Sequence, residues 1–116
     1  MSSLVLHAPE HQLREGAKSF EDTFETGVGE AYALNKTILR QVFPESMIRP
    51  GWRVVLLCKE KGLRAEGELV RLKPAIKDGR PWFTKNHIPR YDVYVKNFKM
   101  VPYRPEALNR NGVAVI

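Results

Sequence analysis

Arg49-Pro50-Gly51-Trp52-Arg53-Val54-Val55-Leu56-Leu57-Cys58, then Lys59-Glu60-Lys61-Gly62, then Leu63-Arg64-Ala65-Glu66-Gly67-Glu68-Leu69-Val70, is the stretch that decides the fold. Arg49-Pro50-Gly51 is a turn signal, and Trp52 to Cys58 is rich in β-branched and aliphatic side chains. Alternation puts Val54, Leu56 and Cys58 on one face and Val55 and Leu57 on the other. A strand that is apolar on both sides belongs in the middle of a sheet. Glu60-Lys61-Gly62 supplies a tight hairpin with its glycine at the left-handed position. The return strand, Leu63 to Leu72, sets Leu63, Ala65, Gly67 and Leu69 against Arg64, Glu66, Glu68 and Val70. Gly67 in mid-strand predicts a bulge or sharp bend.

Toward the N-terminus, Ser3 to His7 suits a short strand stopped by Pro9. Ser19-Phe20-Glu21-Asp22 has the form of a capping box and predicts a helical turn near Phe20 and Phe24. Leu34, Ile38 and Val42 fall at helical spacing, with Asn35, Lys36, Arg40 and Gln41 opposite, so an amphipathic helix is expected over Glu30 to Phe43, stopped by Pro44. Toward the C-terminus, Lys73 to Pro89 reads as a long loop containing the turn Asp78-Gly79. Tyr91 to Lys96 is a cleanly alternating strand, continued by Phe98 to Tyr103 past a kink at Asn97. Val113 to Ile116 forms a last strand after Asn111-Gly112. This order predicts an α+β fold: a small, mostly antiparallel β-barrel of four to six strands with one or two helices N-terminal to the main strands. Residues 1–29 read as an N-terminal extension, weakly structured or a short strand plus a helical turn. Residues 30–116 read as a single compact barrel domain with its leading helix.

The 116 residues suit one domain, and 43% apolar with 28% charged side chains is ordinary for a chain that folds around a core. Cys58 is the only cysteine, which excludes an internal disulfide and a cysteine-built zinc site within one chain. Inside its apolar run it reads as a buried, inert thiol. His7 and His11 have the spacing of two ligands on one helical face, but Pro9 between them denies the helix. No metal and no cofactor is expected. Gly27-Val28-Gly29-Glu30 lacks the Gly-Lys-Ser/Thr of a phosphate loop. Met1 to His7 is too short for a secretory leader, and no apolar run nears the ~18–20 residues that cross a bilayer; the expected compartment is the cytoplasm, with no membrane partner.

The formal charge of +6 is unevenly placed. Residues 1–48 hold four Lys or Arg against seven acids, a net of −3, whereas residues 49–116 hold fifteen against six, a net of +9. Such density attracts polyanions, because each phosphate neutralised releases a counterion. Trp52, Trp82, Phe83, Tyr91 and Tyr94 lie among Arg53, Arg64, Lys73, Lys85, Arg90 and Lys96. Cations hold phosphates while ring faces stack on bases, at about 1–3 kcal/mol per base. Trp82, in a polar loop between Pro81 and Phe83, is the ring best placed for ligand contact. Glu66 and Glu68 share a strand face and read as cross-strand ion-pair partners rather than a catalytic pair.

The unit Arg49 to Leu57 followed by Lys61 to Val70 resembles the central hairpin of PUA-like domains, the EVE and ASCH groups included. There a "pGDrVll" strand is followed by a turn and a strand of the type "g.a.GegeV". Trp52 stands where those families usually carry aspartate, and SH3-like barrels share the same hairpin grammar. The resemblance covers about residues 30–103. It implies a small pseudo-barrel that binds RNA or DNA, in some members clasping a modified base in an aromatic-lined pocket. The expected function is therefore nucleic-acid binding, to RNA or to single-stranded or modified DNA, without enzymatic activity. The candidate residues are Trp52, Arg53, Arg64, Lys73, Trp82, Lys85, Arg90, Tyr91, Tyr94 and Lys96. Two other readings stay open. One is a protein-interaction adaptor or inhibitor, which the acidic N-terminal third supports. The other is a small ribonuclease, with His87 as acid or base and Arg90, Lys85 or Arg53 stabilising the phosphorane.

Overall fold

The computed structural model describes residues 3–9, 19–42, 52–109 and 111–116. Along the chain run β1 (Ser3–His7), α1 (Phe20–Thr26), β2 (Val28–Ala33), α2 (Lys36–Val42), β3 (Arg53–Cys58), β4 (Leu63–Pro74), β5 (Ile76–Lys77), β6 (Arg80–Pro81), β7 (Arg90–Val101) and β8 (Val113–Val115). Six strands form one sheet in the order β2-β7-β4-β3-β1-β8, and β5 with β6 forms a separate two-stranded ribbon. Every neighbouring pair in the large sheet is antiparallel except β1 and β3, which are parallel.

β3 lies between β4 and β1, as its two apolar faces require. Val54, Leu56 and Cys58 join the main core with Leu4, Leu6, Phe20, Tyr32, Leu34, Ile38, Trp52 and Val93. Val55 and Leu57 point the other way and, with Val5, form a second small core against Leu108 and Ala114. Cys58 is a buried free thiol, and Gly62 closes the β3–β4 turn at φ 62°.

The sheet curls into a half-barrel because its long strands bend. β4 shifts register on β7 between Glu66 and Glu68, and again between Leu69 and Arg71. Opposite, Asn97 takes φ 58°. A Cβ on Gly67 would lie 2.6 Å from Val95 Cγ1 and 2.9 Å from the Lys96 carbonyl, so the bend needs glycine there. The curl brings the two ends of the strand order together: the Tyr32 hydroxyl on β2 donates to the His7 carbonyl on β1 at 2.9 Å. Among the described residues the sheet has two edges, β2 and β8, and forms a half-barrel.

Local signals account for the first helix. Ser19 caps α1, its hydroxyl accepting from Asp22 N at 3.2 Å, and Gly27 ends it at φ 72°. The second helix is shorter than its periodicity predicts. Val28 to Ala33 is strand β2, bulged between Gly29 and Tyr32 and paired with β7. Asn35 caps α2, its side chain accepting from Ile38 N at 2.9 Å. Ala31, Tyr32, Ala33 and Leu34 are all buried, and a continuous apolar run of this length fits a covered strand as well as a helix face. Phe43, Pro44, His11 and the Arg49-Pro50-Gly51 turn lie outside the described residues.

Residues 1–29 contain the short strand β1 and the helix α1. β1 sits within the sheet between β3 and β8, with Leu4, Val5 and Leu6 fully buried, and α1 contributes Phe20 to the main core. Parallel strands need a long crossover, and α1, β2 and α2 all lie on the path from β1 to β3. Among the described residues, no helix is long and apolar enough to cross a membrane.

Removing residues 1–29 is expected to abolish the fold. Each fully buried aliphatic side chain contributes about 1.5–3 kcal/mol, and a whole domain holds only about 5–15 kcal/mol. A truncated chain that kept dispersed amide resonances would contradict this placement of β1. Gly67→Ala is expected to lower stability by about 1–3 kcal/mol through overpacking, read as a lower urea midpoint at constant m-value.

Candidate functional site

β4 is longer than its partner β3. Pairing with β3 reaches from Leu63 to Glu68, followed by one more bond, Leu69 N to the Trp52 carbonyl at 3.0 Å. Beyond it β4 pairs with β7 alone through Pro74↔Tyr91. The chain then forms an arm made of the β5–β6 ribbon and residues 82–89. Sequence reading expected a plain loop here, and the difference has a local cause. Asp78 and Gly79 take φ 53° and 76°, the pair of left-handed residues that a two-residue hairpin demands. Three backbone bonds, each of 2.9 Å, lock the base of the arm: Ala75 N to the Arg90 carbonyl, Trp82 N to the Ala75 carbonyl, and Arg90 N to the Trp82 carbonyl. Thr84 and Ile88 close the far turn, with His87 at φ 61°.

The arm gathers positive charge beside rings. Residues 70–91 carry Arg71, Lys73, Lys77, Arg80, Lys85 and Arg90 against Asp78 alone. Lys77 Nζ lies 4.9 Å and Arg90 Cζ 5.2 Å from the centre of the half-buried Trp82 ring. Arg71 Cζ lies 4.5 Å from that of Tyr94. Phe83 is 49% exposed. In the ribbon, Lys77 stands directly opposite Arg80.

The expected site residues divide into three groups. Trp52 and Arg64 are buried. Trp52 fills the core. Arg64 lies under residues 104–106: Nε donates to Glu66 Oε2 at 3.1 Å, and Nη1 donates to the Arg104 carbonyl at 2.9 Å and to Glu106 Oε2 at 3.1 Å. Neither residue is open to a ligand. A second group belongs to an ion-pair lattice on the outer face of the sheet. Arg53 Nη1 meets Glu66 Oε1 at 3.1 Å, and Lys96 Nζ meets Glu68 Oε2 at 3.5 Å. Glu66 and Glu68 thus neutralise the cations beside them, the role read from their strand positions.

The remaining candidates, Lys73, Trp82, Lys85, Arg90, Tyr91 and Tyr94, belong to the arm or its root. Lys73 and Lys85 are exposed. Arg90 is half-buried, and its Nη1 donates to the Ala31 carbonyl at 2.8 Å, while Asp92 Oδ1 accepts from Ala31 N at 3.0 Å. Arg90 therefore fastens Trp82 to the β2 bulge. Tyr91 packs toward the main core, and strand alternation turns Tyr94 to the opposite face. Tyr91 and Tyr94 therefore point to opposite faces of β7. Around His87, two of the three proposed stabilising cations are engaged elsewhere, Arg53 with Glu66 and Arg90 with Ala31. Among the described residues, no three His, Cys, Asp or Glu side chains group as a metal site needs.

Arg71, Lys77 and Arg80 were absent from the expected set. The signal for Lys77 and Arg80 was present in the Asp78-Gly79 turn, which forces its flanking residues into a facing pair. Arg71 escaped because the second bulge of β4, at Val70, changes which side chains face outward.

Arg64→Ala is expected to cost about 3 kcal/mol, since it leaves Glu66 and Glu106 without a buried partner. Arg64→Lys should recover little of this, because a lysine cannot serve both carboxylates and a carbonyl from one fork. Parental urea stability in Arg64→Ala would show that the network contributes nothing. No family model, curated protein or solved structure matches this chain.

Proposed function

We propose that this chain is a nucleic-acid-binding module that takes single-stranded RNA or DNA on the arm of residues 70–91, in the manner of the PUA-like domains its central hairpin resembles. One observation carries the reading: Lys77 faces Arg80 across the ribbon beside Trp82, in an arm with six cations and one acid. Two cations side by side can share one phosphate, and the half-exposed Phe83 offers a face for stacking a base. Arg71, Lys73, Lys77, Arg80 and Lys85 hold backbone phosphates. Trp82 holds Lys77 and Arg90 in place. Arg53, Arg64 and Lys96 take no part, because Glu66 and Glu68 pair with them.

Fluorescence anisotropy with labelled single-stranded RNA and DNA is the test. Binding at low salt should weaken with a log–log slope of about −2 to −4, as expected for three to five phosphates at roughly −0.7 each. Lys77→Glu with Arg80→Glu should reduce affinity at least tenfold, and Phe83→Ala about fivefold or more. Lys96→Ala should change it less than twofold. Absence of binding at micromolar protein, or an equal loss from Lys96→Ala, would overturn the proposal and favour a protein partner for the arm.

A further inference from the structure

A cleft of about 190 Å³ opens far from the arm in the chain, where α1 meets the end of the β3–β4 hairpin. Among the described residues, it is lined by Phe20, Phe24, Cys58, Leu63 and Met100, with Glu21 and Lys61 also contributing. Phe20 and Cys58 are buried, Phe24 and Leu63 are half-buried, and Met100 is 49% exposed. The two lining rings, Phe20 and Phe24, stack with centroids 6.3 Å apart at 13°, and Phe24 is backed by Phe98 at 5.9 Å and 23°. Cys58 and Met100 add two sulfur atoms to the lining.

We propose that this cleft is a binding site for a single six-membered aromatic ring carried by a small uncharged molecule. Three features argue for that occupant. The volume slightly exceeds the ~150 Å³ apolar cavity that accepts benzene. Stacked rings favour another ring offset on them. Sulfur atoms make favourable contacts at ring edges at about 5 Å, which a saturated ring of equal size does not gain. Burial pushes the Cys58 thiol above its ordinary range, which keeps that side chain neutral. This site is independent of the nucleic-acid reading and stands or falls separately.

The test is methyl NMR of the full chain, labelled at Met and Leu, titrated with toluene and, in parallel, with cyclohexane. Toluene should give saturable shifts at the Met100 and Leu63 methyl groups with a Kd on the order of 1 mM, an ordinary affinity for so few atoms. Cyclohexane should bind at least fivefold more weakly. Leu63→Trp, which fills the cleft, should abolish the shifts while keeping the amide spectrum dispersed. If that variant does not fold, Met100→Trp plugs the mouth from an exposed position and is expected to do the same. Unsaturable or absent shifts, or shifts that persist in the plugged variant, overturn the site. Equal binding of cyclohexane overturns its selectivity for an aromatic ring.

Discussion

The parallel pairing of β1 with β3 is the constraint on which the rest of the molecule depends. Both strands are apolar on both faces, with Leu4 beside Val54, Val5 beside Val55 and Leu6 beside Leu56 in register. Such a pair is stable only when water is excluded from both sides. The inner side is closed by the curl of the sheet and by the two helices. The outer side is closed by Leu108 and by Ala114 of β8, which form the second small core with Val5, Val55 and Leu57. The buried Arg64 ties the same C-terminal stretch down through Arg104 and Glu106. A two-faced strand thus explains why charged residues from distant positions end up buried and paired.

The division of labour among the cations follows from the same geometry. Where β4 runs beside β3, its outward acids neutralise their neighbours: Glu66 accepts from both Arg53 and Arg64, and Glu68 pairs with Lys96. Past the end of β3 the composition changes: residues 70–91 hold six cations and one acid, Asp78. A net charge summed over half the chain does not distinguish these two environments.

Backbone hydrogen bonds make that arm a fixed element. Ala75, Trp82 and Arg90 bond to one another in a closed triangle, and the Arg90 and Asp92 side chains grip both backbone groups of Ala31. Ala31 itself holds φ 59°, a conformation that is costly for alanine and is sustained here by those two bonds. The ring of Trp82 is therefore positioned by the β2 bulge as well as by its own ribbon.

Much of the architecture was legible from local chemistry. Alternation in Trp52 to Cys58 and Tyr91 to Lys96, the Ser19 cap, and the bends at Gly67 and Asn97 all depend on forces acting between near neighbours, and all appear where those forces placed them. Helix and strand could not be separated over Ala31 to Leu34, because four buried residues in succession satisfy either period and only pairing with β7 chose between them. The place of β1 beside β3 and the burial of Arg64 were decided by the folded chain alone. Each depends on which distant segment supplies the covering surface, and residue spacing holds no record of that.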